Sequence, residues 1–91
     1  MGQMTIDAEN ETRAGEAGAV EAVVAAMRGH AGSAGVQEQA CRALYNMSIN
    51  DAENKTRARE AGAREPAERA LAEHSNHTET ATWARKFLNV I

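Results

Sequence analysis

DAENETRAGEAGA occupies residues 7–19, and DAENKTRAREAGA occupies residues 51–63, 44 positions further on. The copies differ only in Glu11 against Lys55 and Gly15 against Arg59. A fixed period of this length marks stacked helical repeats, in which each unit leans on its neighbour. The duplication divides the chain into a lead-in at 1–6, a first unit at 7–50 and a second at 51–91.

Each unit reads as three helices. Asp7 can cap a short helix over Ala8–Ala17 by accepting from free amide groups at its start. Gly18 suits the left-handed position that closes a helix, and Asp51 and Gly62 repeat both signals. The second helix, near Val20–His30, places Val20, Val23, Val24 and Met27 on one stripe. The connector AGSAG (31–35) interrupts it, with Ser33 as the cap of the next helix. The third helix, near Val36–Ile49, places Val36, Ala40, Ala43, Leu44 and Met47 on one face. Beside it runs a polar row of Gln39, Arg42 and Asn46.

The second unit keeps this plan and loses apolar content. Val20, Val23 and Val24 are answered by Arg64, Ala67 and Glu68. Pro66 fits a first helical turn, where its missing N–H costs little. The last helix, near Thr78–Ile91, regains a stripe in Trp83, Ala84, Phe87, Leu88 and Ile91. A polar middle helix suits a terminal repeat that no further neighbour covers.

Composition narrows the function classes. Net charge is −3, and the basic group Arg57, Arg59 and Arg64 reads as a solvated helix face, so no nucleic-acid surface is expected. Cys41 is the single cysteine, which leaves a cytoplasmic address as the default and the nucleus as the alternative. No apolar run reaches membrane-spanning length. The start MGQMTI fits neither a secretory signal nor the myristoylation pattern, since Ile6 stands where Ser or Thr is needed.

No catalytic or cofactor set can be assembled. His74 and His77 flank a polar connector, too few ligands for a metal, and His74 is the repeat partner of His30. Cys41 lacks a neighbouring base and reads as a small buried hydrophobe. Trp83 and Phe87, one turn apart, read as core. Gly29, Gly32 and Gly35 have no lysine after them, which excludes a phosphate loop. No cofactor, no metal and no enzymatic activity are expected.

The order Asp-Ala-Glu-Asn, then Glu-Ala-Gly before an apolar helix, then QEQACRALYNMSIN (37–50), resembles armadillo repeats, closely over 7–63 and loosely over 64–91. The resemblance implies an all-α solenoid, a right-handed superhelix whose third helices line a concave groove for extended peptides. It implies that Asn46 bonds the peptide backbone, since a primary amide both donates and accepts. Arg42 stands where importin-like repeats carry Trp, which makes the site look more like the basic groove of β-catenin-type proteins, and Gln39 extends the row. Arg42 can add a charge-assisted bond to an acidic side chain; the plain alternative pairs it with Glu38 along the helix. The chain departs from the family at Ala14 and Ala58, where a large aliphatic residue is usual, a loss worth about 2 kcal/mol or more where the site cannot collapse.

The last helix has two readings. A 44-residue offset pairs Arg42 with Lys86 and Asn46 with Val90. A 43-residue offset pairs Arg42 with Arg85 and Asn46 with Asn89, but sets Lys86 opposite Ala43 on the core side. Burying an unpaired ammonium is costly, so the longer offset is favoured, and Lys86 and Asn89 both enter the candidate peptide site. Two functions follow: a module that binds a protein or peptide partner through Gln39, Arg42, Asn46, Lys86 and Asn89, or a structural piece whose uncapped face near Met4, Ile6, Val20 and Val23 self-associates or docks onto further repeats.

Overall fold

A computed structural model describes residues 18–91. The expected helix Ala8–Ala17, its cap Asp7, Ala14 and the lead-in residues Met4 and Ile6 lie outside this span.

Five helices follow one another among the described residues: α1 (Ala19–Gly29), α2 (Ala34–Asn50), α3 (Ala52–Glu60), α4 (Arg64–Glu73) and α5 (Thr78–Val90). The duplicated letters act as punctuation. The Asp51 carboxylate accepts from the Glu53 N–H at 2.8 Å and starts α3. Gly62 (φ 75°) and Gly18 (φ 96°) take the left-handed backbone that turns the chain into α4 and α1. Ser33 Oγ accepts from the Val36 N–H at 3.2 Å and caps α2, which starts two residues earlier than the periodicity suggests. Pro66 lies buried in the first turn of α4.

α2 and α5 form the most extensive helix pair, and α4 packs on α5. α3 leans against α2 and α1. The core joins Val20, Val24 and Met27 of α1 to Cys41 and Leu44 of α2, Ala58 of α3, Ala67 and Ala70 of α4, and Ala84 and Phe87 of α5. Val23 is only half-buried. Alanine supplies many of these contacts, which lets helices approach closely but buries little area per residue.

The buried face of α2 is rotated from the expected one. Gln37, Ala40, Cys41, Leu44 and Ser48 point inward, while Val36, Ala43 and Met47 are half-buried. The cause is the Gln37 side chain, whose Nε2 donates to Met27 O at 3.1 Å and His30 O at 3.0 Å. Met27 O lies in the last turn of α1, where carbonyls lack helical partners, and His30 O otherwise accepts only from the Ser33 N–H at 2.9 Å, so a buried amide serves this terminus better than an aliphatic group.

Hydrogen bonds also tie the two halves together. Asn54 Nδ2 donates to Met47 O at 3.3 Å. Thr80 Oγ1 donates to Ala34 O at 2.9 Å, and His74 Nε2 lies 2.8 Å from Ala31 O. Arg28 Nη2 reaches Gly62 O at 3.3 Å and pairs with Glu65 at 3.9 Å.

Candidate functional site

α2 and α5 are the third helices of the sequence reading, and they lie side by side. Their starts obey the 44-residue offset: α2 begins at Ala34 behind Ser33, and α5 at Thr78 behind His77, whose Nδ1 accepts from the Thr80 N–H at 3.4 Å. Their buried faces obey the shorter offset. Thr80, Ala84 and Phe87 take the places of Gln37, Cys41 and Leu44, whereas the longer offset would set exposed Arg85 opposite buried Cys41. The preference for the longer offset is therefore corrected along the helix body. Arg85 answers Arg42, and Asn89 answers Asn46.

The shorter register sets Lys86 on the core side, and its side chain avoids burial locally. Lys86 is exposed. Its Nζ lies 5.1 Å from the Trp83 ring centroid and 5.8 Å from that of Tyr45. A long aliphatic stem lets an ammonium leave the core side and settle on an aromatic face. Arg42 joins the cluster from α2, with Cζ 5.6 Å from the Trp83 centroid. The two rings are 5.8 Å apart and inclined at 55°. Two cations thus rest on a pair of aromatic rings across the α2–α5 seam.

Arg42 does not make the alternative pair with Glu38: among the described residues, the ion pairs are Arg28–Glu65, Arg69–Glu65 and Arg64–Glu68. Asn46 and Asn89 are exposed, as are Arg42 and Arg85. Gln39 is exposed too. It lines an open cleft of about 590 Å³ with Val23, Ala26, Val36, Ala40 and Ala43.

Sequence reasoning missed three members of this surface. Trp83 is half-buried and carries cations, although its spacing from Phe87 suggested core; Phe87 is the core residue of the two. Tyr45 was passed over beside Asn46. Arg85 was visible only in the shorter offset. Cys41 is fully buried, and burial pushes its thiol from 9.0 up to about 11, so it remains protonated and unreactive near neutral pH.

No helix among the described residues is long and apolar enough to cross a membrane. No curated protein and no solved structure matches the chain significantly. Residues 7–49 match the family model for the armadillo/beta-catenin-like repeat. Repeats of this kind act in general as protein-interaction scaffolds. The matched span supports an armadillo-like repeat, and the helical order that continues through α5 is that of an all-α solenoid.

Proposed function

We propose that the chain is a non-enzymatic interaction module that holds an extended peptide segment against α2 and α5. The observation that supports this reading is the juxtaposition of exposed Arg42 and Asn46 with exposed Lys86 and Asn89 on neighbouring helices, with no carboxylate of the described residues paired to either cation. An extended segment brings unpaired N–H and C=O groups, and an asparagine amide serves both. Two asparagines at equivalent places on adjacent helices can grip two peptide units. Gln39 contributes at the edge, where α2 meets the open cleft. A cytoplasmic or nuclear setting suits the lone protonated thiol of Cys41. The test is isothermal titration with a library of short peptides against the wild-type chain and N46A and N89A. Binding that each variant weakens supports the reading; affinity unchanged in both variants removes these residues from the site.

A second reading has its own support. The open cleft between α1 and α2 is lined by Val23 and Ala26, whose counterparts Ala67 and Ala70 on α4 are sealed, at 0% and 1% exposure. α4 packs chiefly on α5 and also contacts both α1 and α2. A further helix pair of the same repeat kind would cover the cleft in the same way, and the chain would then be a building piece of an array. Thermal melts at two well-separated protein concentrations decide this. A midpoint that rises with concentration favours the building piece, and an unchanged cooperative transition favours the self-sufficient module.

A further inference from the structure

The open cleft of α1 and α2 is distinguished by its charge as much as by its shape. Charged residues make up 25% of the chain, yet none of the eight described residues that line the cleft is charged. Val36, Gln39, Ala40 and Ala43 stand at i, i+3, i+4 and i+7 and form one stripe of α2, and Val23 and Ala26 border it from α1. An uncharged, apolar face on an otherwise charged surface marks a contact site, and its chemistry restricts what can cover it.

The far end of the same chain does not fit. The outer face of α4 presents Arg64 and Glu68, whose side chains are 54% and 59% exposed and lie 3.8 Å apart. Seating them in the cleft would strip both charges of water. Among the described residues, the cleft offers them only the polar side chains of Ser33 and Gln39. Head-to-tail stacking of copies is thereby opposed.

The cleft of a second copy does fit. Under a two-fold axis, the two α2 stripes run antiparallel and cross midway between Gln39 and Ala40. Val36 of one copy then meets Ala43 of the other, and Ala43 meets Val36, a large side chain against a small one at both ends. Such reciprocity is what an isologous contact requires. Ala26, Ala40 and Ala43 are small enough to let the helices approach to about 8 Å. The two Gln39 amides come together beside the axis. A primary amide both donates and accepts, so each can satisfy the other. No like charges oppose one another, because the described lining holds none.

We propose that two copies of this chain pair through their α1–α2 clefts in a closed, two-fold dimer with the Gln39 amides at its centre. The proposal goes beyond the building-piece reading. A further repeat extends the solenoid from one end, whereas this contact uses the same face twice and stops at two. An interface made by two helix pairs is small, so its dissociation constant should be on the order of 10 µM.

Sedimentation velocity of the whole chain between about 1 and 300 µM reads the mass on both sides of that value. The mass should rise from one chain to two and no further. Gln39 is exposed, so Gln39→Glu leaves the monomer fold intact, which circular dichroism checks. The substitution sets two like charges at the axis and should weaken pairing about tenfold or more. Sodium chloride should restore part of that loss in Q39E and take nothing from the wild type, whose contact holds no charge. Asn46 does not line the cleft, so N46A should pair as the wild type does. A wild type that stays monomeric throughout overturns the proposal and leaves the cleft to another part of this chain or to another protein. Growth past two copies overturns it in favour of head-to-tail stacking. A dimer that Q39E leaves intact overturns it as well, since the contact then lies elsewhere on the molecule.

Discussion

α1 and α4 occupy equivalent places in the repeat, yet they bury different stripes. α1 buries Val20, Val24 and Met27, which look forward to the helices that follow. Their counterparts on α4 are Arg64 and Glu68, both exposed and paired at 3.8 Å, and half-buried Leu71. α4 instead buries Pro66, Ala67 and Ala70, in a helix that packs on α5 and touches α1 and α2. The counterparts of Ala67 and Ala70 on α1 are Val23 and Ala26, and these line the open cleft. An interior repeat needs both stripes. Here each helix carries one, and the core is where the two face each other.

The sharpest way to break this comparison is to truncate the same position in both helices. Met27 is 1% exposed, and Met27→Ala should cost about 2–5 kcal/mol through lost transfer energy and a residual cavity. In a small, alanine-rich domain that is enough to abolish a cooperative melt. Leu71→Ala removes a side chain that already meets water and should cost about 1 kcal/mol. Chemical denaturation of the two variants measures the difference. Similar losses would mean that the outer face of α4 is more covered than its exposure indicates.

A smaller effect separates the two buried polar residues that share a place on α2 and α5. Gln37 serves two carbonyls of the α1 terminus, whereas Thr80 Oγ1 serves one carbonyl, Ala34 O, across the seam and lies 2.9 Å from His77 Nδ1 on its own side. Gln37→Ala leaves Met27 O without this donor, while His30 O keeps the Ser33 N–H at 2.9 Å, and should cost about 1–3 kcal/mol. Thr80→Val exchanges one hydroxyl for a methyl of similar size and should cost about 1 kcal/mol. Hydrogen exchange sharpens the result: Gln37→Ala should loosen the α1–α2 connector, and Thr80→Val the contact between connectors.

These residues also show what the sequence made legible. Capping and turn chemistry is local, so Asp51, Ser33, Gly18 and Gly62 announced their roles. The stripe of Val20, Val24 and Met27 was equally plain, because periodicity needs no partner to be seen. Gln37 was not, since a glutamine on a helix looks like surface until the carbonyls it serves are in place. The face of α5 was hidden for the same reason. Whether Lys86 must be buried depends on Trp83 beside it and on Tyr45 from another helix, and no spacing within α5 encodes that meeting. Arg59, one of the two letters that break the duplication, found its reason only in three dimensions: its Nε donates to Ile91 O at 3.0 Å and ties down the end of α5.

Cys41 and Ala84 form another matched pair, both at 0% exposure, and only one of them titrates. Burial raises the Cys41 thiol from 9.0 to about 11. Between those values the unfolded chain gives up this proton while the folded chain keeps it. The stabilising contribution is therefore fully present below pH 9 and is lost as pH rises through about 11. The loss attributable to this thiol is on the order of 3 kcal/mol at most. Cys41→Ala copies the Ala84 position and should flatten that part of the alkaline decline. Denaturation midpoints of the wild type and C41A across this range test it, since all other titrating groups are common to both chains. Parallel declines would show that the thiol is ionised as readily in the folded state as outside it.

The smallest expected change in stability carries the most information about the comparison. Arg64→Val with Glu68→Val gives α4 the forward stripe that α1 has. Both native side chains are exposed, and their mutual ion pair is worth about 0.5 kcal/mol or less, so the monomer should melt nearly as before. What changes is the outer face: two valines beside half-buried Leu71 create an apolar patch on α4. Its complement already exists in the open cleft of α1 and α2. A patch on one end of a molecule that fits a cleft on the other makes a head-to-tail contact, and such contacts propagate without closing. The double variant should therefore grow in apparent mass with concentration during light scattering, while the wild type gains no such growth through α4. A variant no larger than the wild type would mean that Arg64 and Glu68 do not guard this face, and that the polar surface of α4 has another origin.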